Sequence, residues 1–105
     1  MKTIYFVIPC YNEEEVLPET SKRLLEKISY LIEQKKIAKD SKVIFVDDGS
    51  RDRTYEIITE LHAQNNVFCG VKLSHNKGHQ NALLAGLMTA KDKCDAAISL
   101  DADLQ

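Results

Sequence analysis

Two aspartates near the C-terminus, Asp101 and Asp103, have the spacing and the setting of a metal site. They are separated by one residue and directly follow an apolar run. Mg²⁺ and Mn²⁺ prefer oxygen ligands and commonly bind substrate phosphates at the same time. Carboxylates this close repel each other unless a cation or hydrogen-bond donors offset their charge. The pair suits a divalent cation that also contacts a phosphorylated ligand, although a D-x-D pair by itself is more typical of a solvated loop.

Three further groups of polar residues have the chemistry of a nucleotide site. Each group follows an apolar run, and its members are the candidates for ligand contact: Pro9, Tyr11 and Glu13; Asp47 and Asp48; Asn76, Lys77 and Gly78. The aromatic ring of Tyr11 suits a nucleobase, and the acids suit ribose hydroxyls or base N–H groups. A helix that starts after Gly78 would present free backbone N–H groups and a positive dipole end to a diphosphate.

Each of these groups also has a purely structural interpretation. The Asp-Asp-Gly-Ser segment 47–50 is typical of a turn with a helix cap, and segment 76–78 is typical of a turn before a helix. Tyr11 can be a packing aromatic, and His75 and His79 can be surface residues. What favours a binding site is that all four groups follow apolar runs in sequence order.

The elements that must position these residues alternate between two periodicities. Short β-branched or aromatic runs predict strands over 3–9, 42–48, 67–73 and 96–100. Apolar residues at helical spacing predict helices from about Pro18 to Lys36, from a Ser50 cap to Asn65, and from Gly78 to Lys91. An earlier start of the first helix, capped by Asn12, is the alternative. In the second helix we expect Asp52 in the first turn. Small residues on the third helix (Ala82, Ala85, Gly86 and Ala90) predict close packing on a sheet.

This βαβαβαβ order predicts an α/β fold, a parallel sheet with helices on its faces and right-handed crossovers. We expect the strand order 3-2-1-4, with the first strand central. Ligands of open parallel sheets bind beyond the carboxyl ends of the strands, where the strand order switches. All four polar groups follow such ends, so the topology would bring them together.

Composition excludes several classes of protein. The chain has 105 residues, 44% of them hydrophobic and 29% charged, with a net charge of −2. These values fit one soluble domain, and the absence of a Lys/Arg-rich run argues against a nucleic-acid partner. The longest apolar stretch, 82–88, is far shorter than a membrane span. Three widely spaced cysteines (Cys10, Cys69 and Cys94) predict reduced thiols in the cytoplasm, with Cys69 in the core.

Four segments together resemble the inverting glycosyltransferases of family 2, which have the nucleotide-diphospho-sugar transferase (GT-A) fold. The segments are PCYNEEE, VDDGSRDRT, NKGHQNALLAGL and SLDADLQ. The last two are most similar to the dolichyl-phosphate mannosyltransferase-like branch, which includes bacterial polyprenyl-phosphate sugar transferases of cell-wall and glycolipid synthesis. The resemblance extends from Thr3 to Gln105.

The resemblance implies a role for each candidate residue. Pro9, Tyr11 and Glu13 match the nucleotide-contacting segment, and Asp47 matches the acid that reads the base, with Asp48 beside it. The loop near the nucleotide and diphosphate is matched by Asn76, Lys77 and Gly78. The D-x-D pair that holds the nucleotide-sugar and the Mg²⁺ or Mn²⁺ ion is matched by Asp101 and Asp103, the implied catalytic residues.

The resemblance also implies the reaction, in which a sugar moves from a UDP- or GDP-sugar to an acceptor, a polyprenyl phosphate in the branch named above. Residues 1–105 would be the N-terminal, nucleotide-sugar-binding part of a glycosyltransferase domain that is incomplete at its C-terminus, and this part alone is expected to be inactive. The whole protein would act in the cytoplasm or at the cytoplasmic face of the membrane. The uncovered edge of the fourth strand predicts self-association.

Other functions remain as alternatives. The first strand is not followed by G-x-G-x-x-G and no G-x-x-x-x-G-K-[ST] is present, which disfavours a dinucleotide-dependent dehydrogenase and a P-loop hydrolase. A phosphatase with Asp101 as nucleophile would need further catalytic groups downstream. A noncatalytic nucleotide-sugar-binding module and a family 2 transferase with a saccharide acceptor are the serious alternatives.

Overall fold

A computed structural model describes residues 1–102, in which strands and helices alternate along the whole chain. The elements are β1 (Ile4–Cys10), α1 (Leu17–Glu33), β2 (Lys42–Asp47), α2 (Thr54–Gln64), β3 (Phe68–Lys72), α3 (His79–Ala90) and β4 (Ala96–Ser99). The predicted βαβαβαβ order is therefore confirmed.

The strands form one parallel sheet in the order β3-β2-β1-β4, as predicted. Val7 of β1 lies between Ile44 of β2 and Ser99 of β4 in the register, and Cys10 lies opposite Asp47. Because β1 is central, the loop after it emerges between the loops that follow β2 and β4. The topology thus brings the predicted polar segments to one edge of the sheet.

The two faces of the sheet build two separate core layers. Alternate strand residues such as Phe6, Ile8 and Phe45 pack with α1 and α2, whereas Val7 and Val46 pack with α3. This division follows from the two-residue period of a strand, which sends neighbouring side chains to opposite faces. Both layers are apolar, which explains why β1 and β2 are near-continuous hydrophobic runs.

Helix α3 approaches the sheet closely, as its small residues predicted. Ala82 and Ala90 are buried on it. At Gly86, an added Cβ would overlap Val7 Cγ1 and lie 2.9 Å from Val46 Cγ2. A larger residue at this position would push the helix away from β1 and β2.

Strand β4 forms an edge of the sheet that pairs only with β1 among the described residues, and all four of its residues are exposed. Self-association through this edge stays a prediction. No helix within residues 1–102 combines the length and the apolar character that a membrane span requires.

Helix α1 begins at Leu17, next to the predicted start at Pro18, so the alternative start with an Asn12 cap is wrong. The helix ends at Glu33 rather than near Lys36, because Lys35 turns the chain with a positive φ of 58°. The local predictions for α2 and for Cys69 were also wrong. Helix α2 begins at Thr54, so Ser50 does not cap it and Asp52 precedes it rather than lying in its first turn. Cys69, predicted in the core, is only partly buried because β3 is an edge strand.

Candidate functional site

A cavity of about 410 Å³ lies at the carboxyl ends of the strands. Seven of the residues predicted from the sequence line it: Pro9, Tyr11, Glu13, Asp48, Asn76, Gly78 and Asp101. Its wall is completed by Cys10, His79, Ala82 and Ala102. The cavity therefore unites one residue group from each of the four predicted polar segments, although these segments lie far apart in the sequence.

Acidic side chains line the described cavity wall, and they are not balanced by basic ones. Glu13, Asp48 and Asp101 line it, and no Lys or Arg is among its described lining residues. An anionic ligand would bind in a cavity with such a wall only if a cation or many N–H donors offset the repulsion between like charges. Carboxylate oxygens are also the ligands that Mg²⁺ and Mn²⁺ prefer, so the donor set fits a hard divalent ion.

The predicted metal pair can be placed only in part. Asp101 is exposed and lines the cavity, whereas Asp103 lies outside the described residues. Within residues 1–102, no three Asp, Glu, His or Cys side chains are close enough together to hold a metal ion. The described part of the chain therefore contains Asp101 as one candidate ligand and no complete coordination shell.

Asp48 joins β2 to the loop before α3. Its carboxylate accepts hydrogen bonds from the backbone N–H groups of Lys77 at 2.7 Å and Gly78 at 3.0 Å. Gly78 N–H is also shared with Asn76 Oδ1 at 2.8 Å. Lys77 thus contributes to the site through its backbone, since its side chain does not line the cavity. The bonds fix the loop that leads into α3.

Asp47, predicted to contact the ligand, lies away from the cavity. Its side chain is fully buried, and Oδ1 accepts the backbone N–H of Ser50 at 3.1 Å. No hydrogen-bond partner is found for Oδ2 within the described structure. Strand alternation sends Asp47 to the same face as Phe45, which packs with α1 and α2. Asp48 is therefore the acid that faces the cavity.

The loop after β1 is held by the loop after β2. Three of its consecutive backbone N–H groups donate to side chains of segment 50–54, which runs from the second loop into the start of α2: Asn12 to Ser50 Oγ at 2.8 Å, Glu13 to Thr54 Oγ1 at 2.8 Å and Glu14 to Asp52 Oδ2 at 3.2 Å. In return, Asn12 Oδ1 accepts the N–H of Arg51 at 2.9 Å. These bonds stabilise the positive φ of 53° at Asn12 and set the position of Glu13 in the cavity wall.

Asp52 is the acidic member of this network. Its carboxylate also accepts the backbone N–H and the hydroxyl of Thr54. Partial burial raises the pKa of Asp52, but the hydrogen bonds from Thr54 and Glu14 outweigh that effect and hold the pKa below its ordinary value. The charged form is therefore the one that maintains the loop.

Gly49 brings the loops after β2 and β3 into direct contact. Its φ is +74°, and an added Cβ would lie 2.5 Å from the backbone nitrogen of Asn76. A glycine is required here both by the backbone conformation and by the lack of space. The close contact supports the same loop that Asp48 anchors.

The start of α3 faces the cavity. Gly78 and His79 line it, and the first intrahelical bond runs from the N–H of Ala82 to the carbonyl of Gly78. The N–H groups of the first helical turn lack intrahelical partners in any α-helix and carry the positive end of its dipole. This end of α3 can bind an anionic group such as a diphosphate.

Cys10 lines the cavity without being a reactive thiol. Burial, and then the charges of Glu13 and Asp47, raise the pKa of Cys10 well above its ordinary value. Its thiol donates to the carbonyl of Ile8 at 3.4 Å. Because the thiolate is the nucleophilic form, Cys10 is a packing residue at neutral pH.

Sequence reasoning missed His79 as a residue of the cavity wall and missed the Ser50, Asp52 and Thr54 side chains as supports of the first loop. The available signal was the hydroxyl and carboxylate content of segment 50–54. These side chains are typical donors and acceptors for backbone groups outside helices. The sequence suggested that Ser50 caps the following helix. In the structure, the Ser50, Asp52 and Thr54 side chains instead accept backbone N–H groups of the loop after β1.

Comparison with known sequences identifies the family of the chain. The sequence profile of the family described as "Glycosyl transferase family 2" matches residues 5–105. The chain is 57% identical over 99 residues to "Uncharacterized glycosyltransferase YkoT" of Bacillus subtilis, covering 94% of this chain and 29% of that relative. It is 41% identical to the undecaprenyl-phosphate 4-deoxy-4-formamido-L-arabinose transferase of Pectobacterium atrosepticum, covering 100% of this chain and 30% of that relative. The chain thus spans less than a third of the length of these relatives.

Solved structures share the fold. The mannosyltransferase PcManGT of Pyrobaculum calidifontis, determined with GDP-Man and Mn²⁺, superposes with a TM-score of 0.78 at 21% identity, over 97% of this chain and 28% of that one. Staphylococcus aureus TarS in complex with UDP gives a TM-score of 0.66 at 23% identity, over 96% of this chain and 27% of that one. At these identities the likeness shows the GT-A fold alone. By its sequence, the chain belongs to glycosyl transferase family 2.

Proposed function

We propose that residues 1–105 form the nucleotide-sugar-binding part of an inverting glycosyltransferase. The donor is a UDP- or GDP-sugar, and the acceptor is a polyprenyl phosphate. The observation that carries this proposal is the cavity itself, which is lined by the N-terminal end of α3 and by the carboxylates of Glu13, Asp48 and Asp101. Family membership and relatives named as undecaprenyl-phosphate transferases support the reaction and the acceptor.

The diphosphate of the donor suits the α3 side of the cavity. The unpaired N–H groups of the first turn of α3 and the positive end of its dipole attract phosphate oxygens. The loop held by Asp48 fixes where this turn begins. The carboxylates of the wall would repel the same diphosphate. No Lys or Arg lines the described cavity to offset this repulsion.

A divalent cation, Mg²⁺ or Mn²⁺, resolves that conflict, and Asp101 with Asp103 would hold it. When bound, the ion neutralises negative charge on the departing diphosphate. Metal dependence is supported by the carboxylate-rich wall. PcManGT, which has the same fold, was determined with Mn²⁺.

The nucleoside suits the side of the cavity formed by the loop after β1. Tyr11 is 40% exposed there and offers an aromatic face to a nucleobase. Asp48 faces the cavity while Asp47 does not, so we assign the acceptance of a base or ribose hydrogen to Asp48 and Glu13 rather than to Asp47. A carboxylate has about four lone-pair sites, so Asp48 can hold the loop and accept a ligand donor at the same time.

The chemistry is a single displacement at the anomeric carbon of the sugar. A polyprenyl phosphate is already anionic, so its attack needs little help from a general base. A saccharide hydroxyl would need a base. The phosphate acceptor is favoured by the relatives named as undecaprenyl-phosphate transferases.

The test is transfer of radiolabelled sugar by the full-length protein that contains this chain, with UDP- and GDP-sugars as donors. Undecaprenyl phosphate, dolichyl phosphate and an oligosaccharide serve as acceptors. We expect a metal-dependent product that partitions into organic solvent with one of the lipid phosphates. Transfer only to the oligosaccharide would establish the saccharide-acceptor alternative, and binding of donor without any transfer would establish the noncatalytic module.

A further inference from the structure

The buried hydroxyl of Thr20 on α1 makes a long-range contact that the site described above does not use. Thr20 Oγ1 donates to the backbone carbonyl of Ala102 at 2.6 Å, across 82 residues of sequence. Thr20 is 4% exposed and Ala102 is 6% exposed. The hydrogen bond is therefore shielded from water and cannot be replaced easily by a solvent molecule.

Ala102 is the middle residue of the D-x-D segment. Its side chain belongs to the buried cluster that also contains Leu17 and Leu24 of α1. Side chain and carbonyl are thus both fixed against the same helix, while Asp101 lines the cavity. The Ala102 carbonyl is also part of the planar peptide group through which the chain continues to Asp103.

The hydroxyl of Thr20 makes its hydrogen bond outside helix α1. A threonine inside a helix commonly bonds its own helix four residues back, and the neighbouring Ser21 does bond within α1, to the carbonyl of Pro18 at 2.9 Å. Thr20 instead satisfies a carbonyl outside the helix. An isosteric valine would leave that buried carbonyl without this donor, which is costly.

We propose that Thr20 is a positioning residue for Asp101: its hydroxyl fixes the Ala102 carbonyl and thereby sets the geometry in which the preceding Asp101 meets a metal-bound nucleotide diphosphate. The proposal rests on the function proposed above. Thr20 does not line the cavity. Its effect passes through the backbone, as supporting residues around metal ligands commonly act.

The experiment separates positioning from packing by two variants of Thr20 in the full-length protein. Thr20→Val keeps the methyl group and removes the donor, whereas Thr20→Ser keeps the donor and removes the methyl group. Ser21→Ala is the matched control, because it removes the buried hydroxyl next to Thr20 whose bond stays inside α1. Calorimetric titration with UDP and GDP, with and without Mn²⁺, gives the factor by which Mn²⁺ tightens binding, and urea unfolding gives stability.

We expect Thr20→Val to reduce the Mn²⁺ factor by about tenfold or more, the range seen when supports of metal ligands are removed. Thr20→Ser and Ser21→Ala should keep the wild-type factor even where they lower stability. A wild-type Mn²⁺ factor in Thr20→Val, or an equal loss in Thr20→Ser, would overturn the proposal and leave the proposed function intact. If Thr20→Val does not fold, Thr20→Ala applies the same criterion. A wild-type protein whose nucleotide binding ignores Mn²⁺ would instead overturn the metal-dependent function itself.

Discussion

The carboxylate of Asp48 accepts the backbone N–H of Lys77 at 2.7 Å, which ties the end of β2 to the loop before α3. The neighbouring N–H of Gly78 donates to the same carboxylate. Asp48 also lines the cavity. One buried side chain therefore sets the position of α3, whose first turn is proposed to bind diphosphate, and lines the cavity at the same time. A change at Asp48 must affect both walls of the cavity.

Asp48→Asn should weaken nucleotide binding strongly. The variant replaces one acceptor oxygen by an NH₂ group that faces a backbone N–H, and it removes a charged acceptor worth about 1.5–3 kcal/mol per hydrogen bond. We expect the dissociation constant of UDP or GDP to rise roughly 10- to 150-fold. Calorimetric titration measures it.

Asp47→Asn is the matched control for Asp48→Asn. It can keep the acceptor for the N–H of Ser50 and places NH₂ where a buried oxygen has no partner within the described structure. Nucleotide affinity should change little. If Asp47→Asn weakens binding and Asp48→Asn does not, the assignment of the two acids made from their burial is wrong.

Gly49→Ala should disturb the site through the backbone. The substitution combines a strained φ of +74° with a close approach to the His75–Asn76 backbone. We expect a loss of stability of about 1–3 kcal/mol together with weaker nucleotide binding, measured by urea unfolding and titration. Gly78→Ala is the comparison, because Gly78 has a φ of +95° but nothing lies within 4 Å of an added Cβ. An equal loss of stability in both variants would contradict the packing argument.

Acid should loosen the loop after β1 through Asp52. Its pKa is lowered in the folded protein, because hydrogen bonds from Thr54 and Glu14 outweigh the effect of partial burial. A lowered folded-state pKa contributes stability that is present above the unfolded value, about 3.9, and is lost as the pH falls through the folded value. Unfolding free energies measured from about pH 5 downward should therefore fall less steeply in Asp52→Asn than in wild type. Parallel slopes would exclude Asp52 as a source of the pH dependence.

Gly86→Ala should destabilise the fold without touching the site. The added methyl group would collide with Val7 and crowd Val46 in the layer between α3 and the sheet. Overpacking of a buried position costs about 1–3 kcal/mol, which urea unfolding resolves. Met88→Ala on the outer face of the same helix, where the side chain is 65% exposed, should change stability little. A neutral Gly86→Ala would mean that α3 can move away from β1 at no cost.

The sheet and the location of the cavity were predictable because they depend on periodicity. Apolar runs at strand and helix spacing define the element order, and a parallel sheet sends the segments after its strands to one edge. The small residues Ala82, Gly86 and Ala90 correctly indicated the close approach of α3. None of these inferences needs a contact between particular side chains.

What the sequence did not reveal depends on contacts between distant segments. Adjacent acids face opposite sides of a strand, and both faces of β2 are buried, so no local pattern tells whether Asp47 or Asp48 faces the cavity. Ser50 satisfies a local rule for helix caps, yet its hydroxyl is used by the N–H of Asn12 in another loop. Thr20 shows the same limit, since its partner lies 82 residues away.

Calorimetric titration of the full-length protein with UDP and GDP, with and without Mn²⁺, decides whether Asp101 acts in a metal-dependent nucleotide site when wild type is compared with Asp101→Asn. Asp101 lines the carboxylate-rich cavity, so we expect that one nucleotide binds wild type more tightly with Mn²⁺ and that Asp101→Asn loses this increment while it keeps metal-free binding. Binding that is indifferent to Mn²⁺, or an increment that survives in Asp101→Asn, would contradict a metal-dependent nucleotide-sugar site at this edge of the sheet.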